Sequence, residues 1–261
     1  MAKYTNSSLV DCTVKSPNHS GQRTHSIDRI TPHCVVGQLS AESIGSCFPA
    51  GRQASCNYGI GKDGRVCLIV DEKNRSWCSS SNANDQRAIT IECASGTKEP
   101  YEMNSVVYEK LVKLCVDICK RNGKKKLIWI ADKNTALSYT PKSGEMQLTV
   151  HRWFANKSCP GNWLFNRLGD LAYRVNKELG SATETPSGEK PSESKKSYHV
   201  RVDISNLNIR KGPGTNYARV GYIPPTIYTI VAEADGPGAT KWCKLKSGAG
   251  WISKDYVKVL D

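Results

Sequence analysis

The chain has 261 residues, more than one compact domain usually holds, and 38% of them are apolar, enough for a sizeable core. No run approaches the roughly 18 consecutive apolar residues of a membrane-spanning helix, and the opening stretch MAKYTNSSLVDCTVKS carries no apolar segment after its lysine. Neither stable membrane association nor a conventional secretory signal is therefore expected. Lys and Arg outnumber Asp and Glu 37 to 24, for a net charge of +13, but the only dense basic run, KRNGKKK at 120–126, follows directly on a helical pattern and reads as a solvated helix end. Nucleic acid is thus not the expected partner; a diffuse positive field suits adsorption to an extended polyanionic surface.

Eleven cysteines are present, none of them in a CxxC pair, so neither a zinc ribbon nor a thioredoxin-like motif is indicated. In a chain made without a signal peptide they are expected to stay reduced, most of them acting as small hydrophobes with no structural disulfide.

In chain order, apolar β-branched runs at 29–36, 65–70, 88–93, 127–131 and 147–150 alternate with helical patterns, which predicts an α/β (α+β) domain, a mixed central sheet flanked by helices. The first long helix is expected over 104–121. Asn104 stands at its cap, and Val107, Leu111, Leu114, Cys115 and Ile118 repeat at helical spacing. A second is expected over 162–179, with Leu164, Leu168, Leu171 and Val175 on one face and Gly180 as its stop. Both stripes read as core. The stretch GSATETPSGEKPSESKKS at 180–197 has too few apolar side chains to fold and reads as a linker. Beyond it, the runs HVRVD, LNIRKG, YTIVAEA, KWCKLKS and GWISKDYVKVL, separated by Gly and Pro turns, describe a small all-β barrel. The expected division is 1–179, a linker at 180–198, and 199–261.

Chemistry concentrates in HRWFANKSCPG, residues 151–161, where an imidazole and a thiol stand eight positions apart with a lysine between them. Zn²⁺ takes imidazole nitrogen and thiolate sulfur, and a hydrolytic site needs three protein ligands with a fourth position open. His151 and Cys159 can supply two. The third candidate is His33, inside the strand-like run RITPHCVVG. Lys157 would set an ammonium beside the metal, where a polarised carbonyl oxygen gathers negative charge. A carboxylate also interrupts the apolar strand ITIECA, at Glu92, and burying an ionised side chain costs several kcal/mol unless a partner or cation is near. Such misplaced charges mark sites. His19, His25 and His199 lie in polar segments and receive no role.

The order of these motifs resembles the zinc-dependent N-acetylmuramoyl-L-alanine amidases of the type 2 class, whose fold peptidoglycan recognition proteins share. The likeness covers roughly 25–179, with SCNYGIGKDGRV resembling the family's second strand and turn, and RSWCSSSNANDQRAITIECA the loop and strand that follow. LNIRKGPGTNY and GWISKDYVK resemble the signature stretches of bacterial SH3-like domains, which adhere to cell wall. The resemblance implies zinc held by His33, His151 and Cys159, with Lys157 matching the lysine before the last ligand. It implies Glu92 as general base, as in the family's phage-type and bacilli-type members, because Cys56 stands where others carry an assisting tyrosine. Cys78, after Trp77, stands where many relatives carry histidine.

The implied activity is hydrolysis of the bond between N-acetylmuramic acid and L-alanine in the peptidoglycan of a Gram-positive bacterium. A wall-degrading enzyme without a signal peptide implies an endolysin, made in the host cytoplasm and acting on the wall after release. A host autolysin of the same chemistry and a non-catalytic peptidoglycan sensor are the alternatives; such sensors typically lose the thiolate ligand, and Cys159 is present. A cysteine peptidase would need a nucleophile segment of the Asp-Cys-Ser-Gly type, which does not occur. The oligomeric state is not legible.

Overall fold

The computed structural model describes residues 4–181 and 197–260. The chain divides into two compact units, Met1–Ala182 and Thr183–Asp261. The expected linker at 180–198 lies, apart from its ends, outside the described residues.

The first unit runs β1 (Cys12–Thr13), β2 (His19–Gln22), β3 (Arg29–Cys34), α1 (Ala41–Ser46), β4 (Tyr58–Ile60), β5 (Val66–Leu68), β6 (Asn74–Ser76), α2 (Asn82–Arg87), β7 (Ala88–Cys93), α3 (Ser105–Arg121), β8 (Lys126–Ile128), α4 (Lys133–Ser138), β9 (Glu145–Leu148), α5 (Gly161–Phe165) and α6 (Leu168–Glu178). Seven strands form one mixed sheet in the order β1-β5-β4-β7-β3-β9-β8. All its neighbours are parallel except β4 and β5. β3 and β7 lie at its centre, where both faces are covered, so they read as near-continuous apolar runs rather than as alternation. β2 and β6 pair separately.

The helix beginning at Asn104 forms as its sequence predicts: the Asn104 carboxamide accepts from Val107 N–H, and Val107, Leu111, Leu114, Cys115 and Ile118 are all fully buried. The second expected helix is interrupted. α5 and α6 are separate because Asn166 closes the first and Arg167, outside helical geometry at ψ 0°, opens the second. The apolar stripe survives the break, with Leu164, Leu168, Leu171 and Val175 all buried, since a short break moves the axis without turning the face away from the core. Gly180, at φ 68°, takes the left-handed position that ends α6. α3 is also fastened at its end by an ion pair. The Arg121 guanidinium donates to both Glu72 carboxylate oxygens at 2.9 and 2.6 Å, and Tyr58 Oη donates to the same carboxylate at 2.7 Å. Glu72 is 1% exposed, so removing Arg121 would strand a buried charge.

Sequence alone did not reveal the short elements β1, β2, β6, α1, α2 and α4, because each is too brief for its period to show, whereas β4 falls within SCNYGIGKDGRV, the stretch that resembles the family's second strand. The strand expected at 127–131 stops at Ile128, and the one expected at 147–150 is shifted to Glu145–Leu148.

The second unit is all-β and antiparallel, with β10 (Tyr198–Val202), β11 (Leu207–Arg210), β12 (Arg219–Ile223), β13 (Ile227–Ala234), β14 (Trp242–Leu245), β15 (Trp251–Ser253) and β16 (Val257–Leu260) in the order β12-β11-β15-β14-β13-β10-β16. Val200, Val202, Leu207, Ile223, Ile230, Cys243, Leu245 and Ile252 make its core. The 211–218 loop is pinned by Arg210, whose guanidinium donates to the carbonyls of Thr215 at 3.0 Å and Tyr217 at 2.8 Å.

Candidate metal centre and catalytic cleft

Parallel pairing of β3 with β7 sets His33 directly beside Glu92. Neighbours in register share a face of the sheet, so an imidazole and a carboxylate leave the same central strands side by side. His33 is 1% exposed and its Nε2 is buried with no hydrogen-bond partner among the described residues. An orphaned buried donor or acceptor costs about 1–3 kcal/mol. Burial, then the neighbouring His151, push its pKa down to about 3, which keeps the ring neutral, the form that ligates metals.

His151 opens a 3-10 turn, His151–Trp153, just past the end of β9. Its ring centroid lies 5.2 Å from that of His33, and its Nε2 is 2.9 Å from Ser80 Oγ. Burial and the Lys157 charge hold its pKa below the ordinary histidine value.

The chain then folds back on itself. Arg152 N–H donates to Cys159 O at 3.1 Å, and Lys157 N–H to Ala155 O at 2.8 Å, closing a tight excursion that returns Cys159 to the sheet. Gly161 is required where this loop enters α5: at φ 79°, a Cβ there would lie 2.7 Å from the Pro100 carbonyl oxygen. Cys159 Sγ consequently sits 3.2 Å from His33 Nδ1. Its thiol is pushed well above the ordinary range by a hydrogen bond with Cys34 and by burial. Without a cation the sulfur therefore keeps its proton; a coordinated thiol loses it.

The ligating atoms of His33, His151 and Cys159 all lie within 4.8 Å of one another. Two ligands of one tetrahedral zinc, at about 2.0 Å for nitrogen and 2.3 Å for sulfur, stand roughly 3.5 Å apart, close to the His33–Cys159 spacing. Two neutral imidazoles and a sulfur are donors that zinc accepts, and the nitrogen of His33 that faces Cys159 is Nδ1. The residues fit a metal.

Beside this cluster opens a cleft of about 710 Å³, lined among others by Arg52, Trp77, Cys78, Glu92, His151 and Lys157. Burial pushes the Glu92 carboxyl up to about 7, against the lowering influence of a Cys78 hydrogen bond and the Arg52 charge. Lys157 is exposed at its rim. Cys56, in contrast, is fully buried.

The cleft wall at 77–80 is held by Asp85, 2% exposed, whose carboxylate accepts from the Cys78 and Ser79 amides and from the Ser79 hydroxyl at 2.6 Å. Ser80 follows at φ 60° and presents its hydroxyl to His151. Ser80, Cys34 and Arg52 are the participants that sequence reading missed. Ser80 and Arg52 sit in polar loops with no pattern to single them out. Cys34 had one signal, adjacency to His33 at the end of a strand.

A central mixed sheet flanked by helices, a histidine–histidine–cysteine cluster and an acidic strand residue, followed in the chain by an antiparallel SH3-like unit, define a cell-wall amidase with a bacterial SH3 domain. Residues 23–162 match the family described as N-acetylmuramoyl-L-alanine amidase, and residues 205–258 match the bacterial SH3 domain. The chain belongs to the N-acetylmuramoyl-L-alanine amidase family and is a peptidoglycan amidase.

Among solved structures, a mutant endolysin from Bacillus subtilis is 12% identical, with a TM-score of 0.41 over 64% of this chain and 99% of that one. The N-acetylmuramoyl-L-alanine amidase LysC from Clostridium intestinale URNW is 14% identical, with a TM-score of 0.39 over 57% and 88%. A selenomethionine derivative of AmpD is 16% identical, with a TM-score of 0.44 over 69% and 98%. No curated protein matches the sequence. No helix among the described residues is long and apolar enough to cross a membrane.

Proposed function

We propose that this chain is a zinc-dependent endolysin that hydrolyses the amide between the lactyl group of N-acetylmuramic acid and L-alanine in Gram-positive peptidoglycan. The observation that carries the reading is the convergence of His33, His151 and Cys159 within 4.8 Å, next to Glu92 on the adjoining strand. His33, His151 and Cys159 would hold the ion. Bound there, zinc supplies a Lewis acid that polarises the scissile carbonyl and makes water acidic enough to attack at neutral pH.

The remaining work falls to side chains. Glu92, with a carboxyl near neutrality, takes a proton from the attacking water and returns it to the departing amine of L-alanine. The Lys157 ammonium faces the oxygen that becomes negative as the carbonyl turns tetrahedral, an electrostatic contribution that usually dominates in such reactions. Ser80, on His151 Nε2, fixes that ring's orientation and leaves Nδ1 as its free nitrogen. The products are a free glycan strand and a stem peptide with a new amino terminus. The 199–261 unit serves as wall anchor, the intervening 180–198 segment as tether, and the enzyme reaches the wall from the host cytoplasm after release.

The test is a digest of purified wall. Mass spectrometry should find stem peptides beginning with a free L-alanine amine. Chelation should stop their release, and added Zn²⁺ should restore it. New reducing sugar ends without free alanine, or full activity in a verified metal-free preparation, would overturn the assignment.

A further inference from the structure

Cys159 reaches the cluster on a segment that has little of its own to hold it. Asn156, Lys157 and Ser158 are exposed, and the backbone here closes two short turns, Lys157 N–H to Ala155 O and Gly161 N–H to Ser158 O. What ties the segment down is Arg152, the residue after the ligand His151. Its backbone N–H donates to Cys159 O at 3.1 Å. Its guanidinium donates to Asn162 Oδ1 at 3.0 Å and to the Ser158 carbonyl. The acceptors lie at 158, 159 and 162, so one residue grips the sulfur's own residue and the chain on either side of it. Among the described residues the guanidinium's hydrogen bonds land nowhere else, and its Nε is buried without a partner.

The guanidinium is also backed by packed rings. It lies over Phe165, 4.7 Å from the ring centroid; Phe165 meets Trp129 edge-on at 5.6 Å, and Trp129 stacks on Trp153 at 5.3 Å. Trp153 is buried, which anchors this row of rings in the core. A planar cation can stack on a ring and still donate from its edge to two fixed acceptors, which an ammonium cannot do.

We propose that Arg152 is a positioning residue of the metal centre: its fork sets the 157–159 segment so that the Cys159 sulfur meets His33 and Lys157 stays at the cleft rim. The inference rests on the metal reading above and adds to it a residue that acts through another. A sulfur carried on an unheld loop must be ordered when it coordinates, whereas a loop already fixed by Arg152 loses less freedom on binding the ion. Groups that orient a metal's ligands from behind typically contribute about 10–100-fold in affinity.

The experiment removes metal from the full chain, loads Co²⁺ to saturation and reads the near-ultraviolet thiolate-to-cobalt absorption per bound ion. Zn²⁺ affinity is measured alongside by competition with a chelating dye. Arg152→Met keeps an apolar stem on Phe165 but removes the fork. It should lose most of the thiolate band, because the sulfur is the donor that comes loose, and Zn²⁺ affinity should fall about 10–100-fold. Arg152→Lys keeps the charge without the fork and should recover only part of that affinity. Asn162→Ala takes away one acceptor and should move both readouts the same way, by less.

A merely structural role would lower the midpoint in denaturant and leave both the band per bound ion and the affinity unchanged. That result for Arg152→Met overturns the inference while the three-donor centre stands. Should Arg152→Met not fold, unchanged affinity in both Arg152→Lys and Asn162→Ala overturns it equally. If the intact chain itself shows no thiolate band, the metal reading falls and this inference falls with it.

Discussion

Glu92 is the residue whose chemistry depends most on its setting. A carboxylate on a central strand is costly when ionised, and burial raises its pKa to about 7, where it can accept and donate a proton within one catalytic cycle. Glu92→Gln preserves shape but not basicity. It should retain bound metal, measured by elemental analysis, while turnover falls by roughly 10² or more; loss of both together would make Glu92 a ligand instead. Ser80 acts at one remove. Because its hydroxyl meets His151 Nε2 at 2.9 Å, Ser80→Ala should weaken Zn²⁺ affinity by about 10–100-fold, read by competition with a chelating dye, and addition of excess Zn²⁺ should recover most of the activity.

His33, His151, Lys157, Cys159 and Glu92 were expected as a set, from an imidazole and a thiol with a lysine between them, from a histidine and a carboxylate inside apolar runs, and from the order in which these motifs resemble the amidase family. Ser80 was not, since a serine in a run of serines looks like any polar loop, and its role comes from a strained backbone that only the fold imposes.

The elements that build the centre are held together by the close approach of backbone. Gly161 lies at φ 79° where α5 begins, with no room for a Cβ against the Pro100 carbonyl. Gly161→Ala should therefore cost more than about 1 kcal/mol of stability in a denaturant titration, and Zn²⁺ affinity should fall in parallel because the Cys159 loop is what must shift. An unchanged affinity in a stable variant would show that the loop and the helix start are independent. The long α3 was readable from its cap and stripe, and the central strands from their apolar runs. The division of α5 from α6 was not, because the same apolar face continues across the break and periodicity records the face rather than the axis. The parallel pairing that sets His33 against Glu92 was equally hidden, as nothing in either strand names its neighbour.

At the scale of the whole chain, two units of different class and a net charge of +13 point to a division of labour. A tether raises the local concentration of an enzyme at its substrate without altering the active site. Truncation after Gly180 should leave a metal-binding amidase that cleaves small soluble muropeptides at nearly the intact rate but clears cells poorly at low enzyme concentration. A fluorescent fusion of 199–261 should decorate the walls of susceptible cells. If the fusion binds no wall that the intact chain lyses, adsorption belongs to the basic surface of the first unit and should collapse with added salt.

By itself the sequence determined the class of each unit, the apolar faces of its principal helices and strands, and the residue types able to do the chemistry. These follow from local periodicity, composition and the cost of misplaced polar groups, all of which act over short stretches of chain. Only the tertiary structure decided which strands are neighbours, that His33 and Cys159 meet across 126 positions, that the Ser80 hydroxyl meets the His151 ring, and that Cys78 shares the carboxylate's corner of the cleft. Those facts depend on sheet order and on loops closing over a common core, and contacts between distant segments leave no period in either segment for a sequence to display.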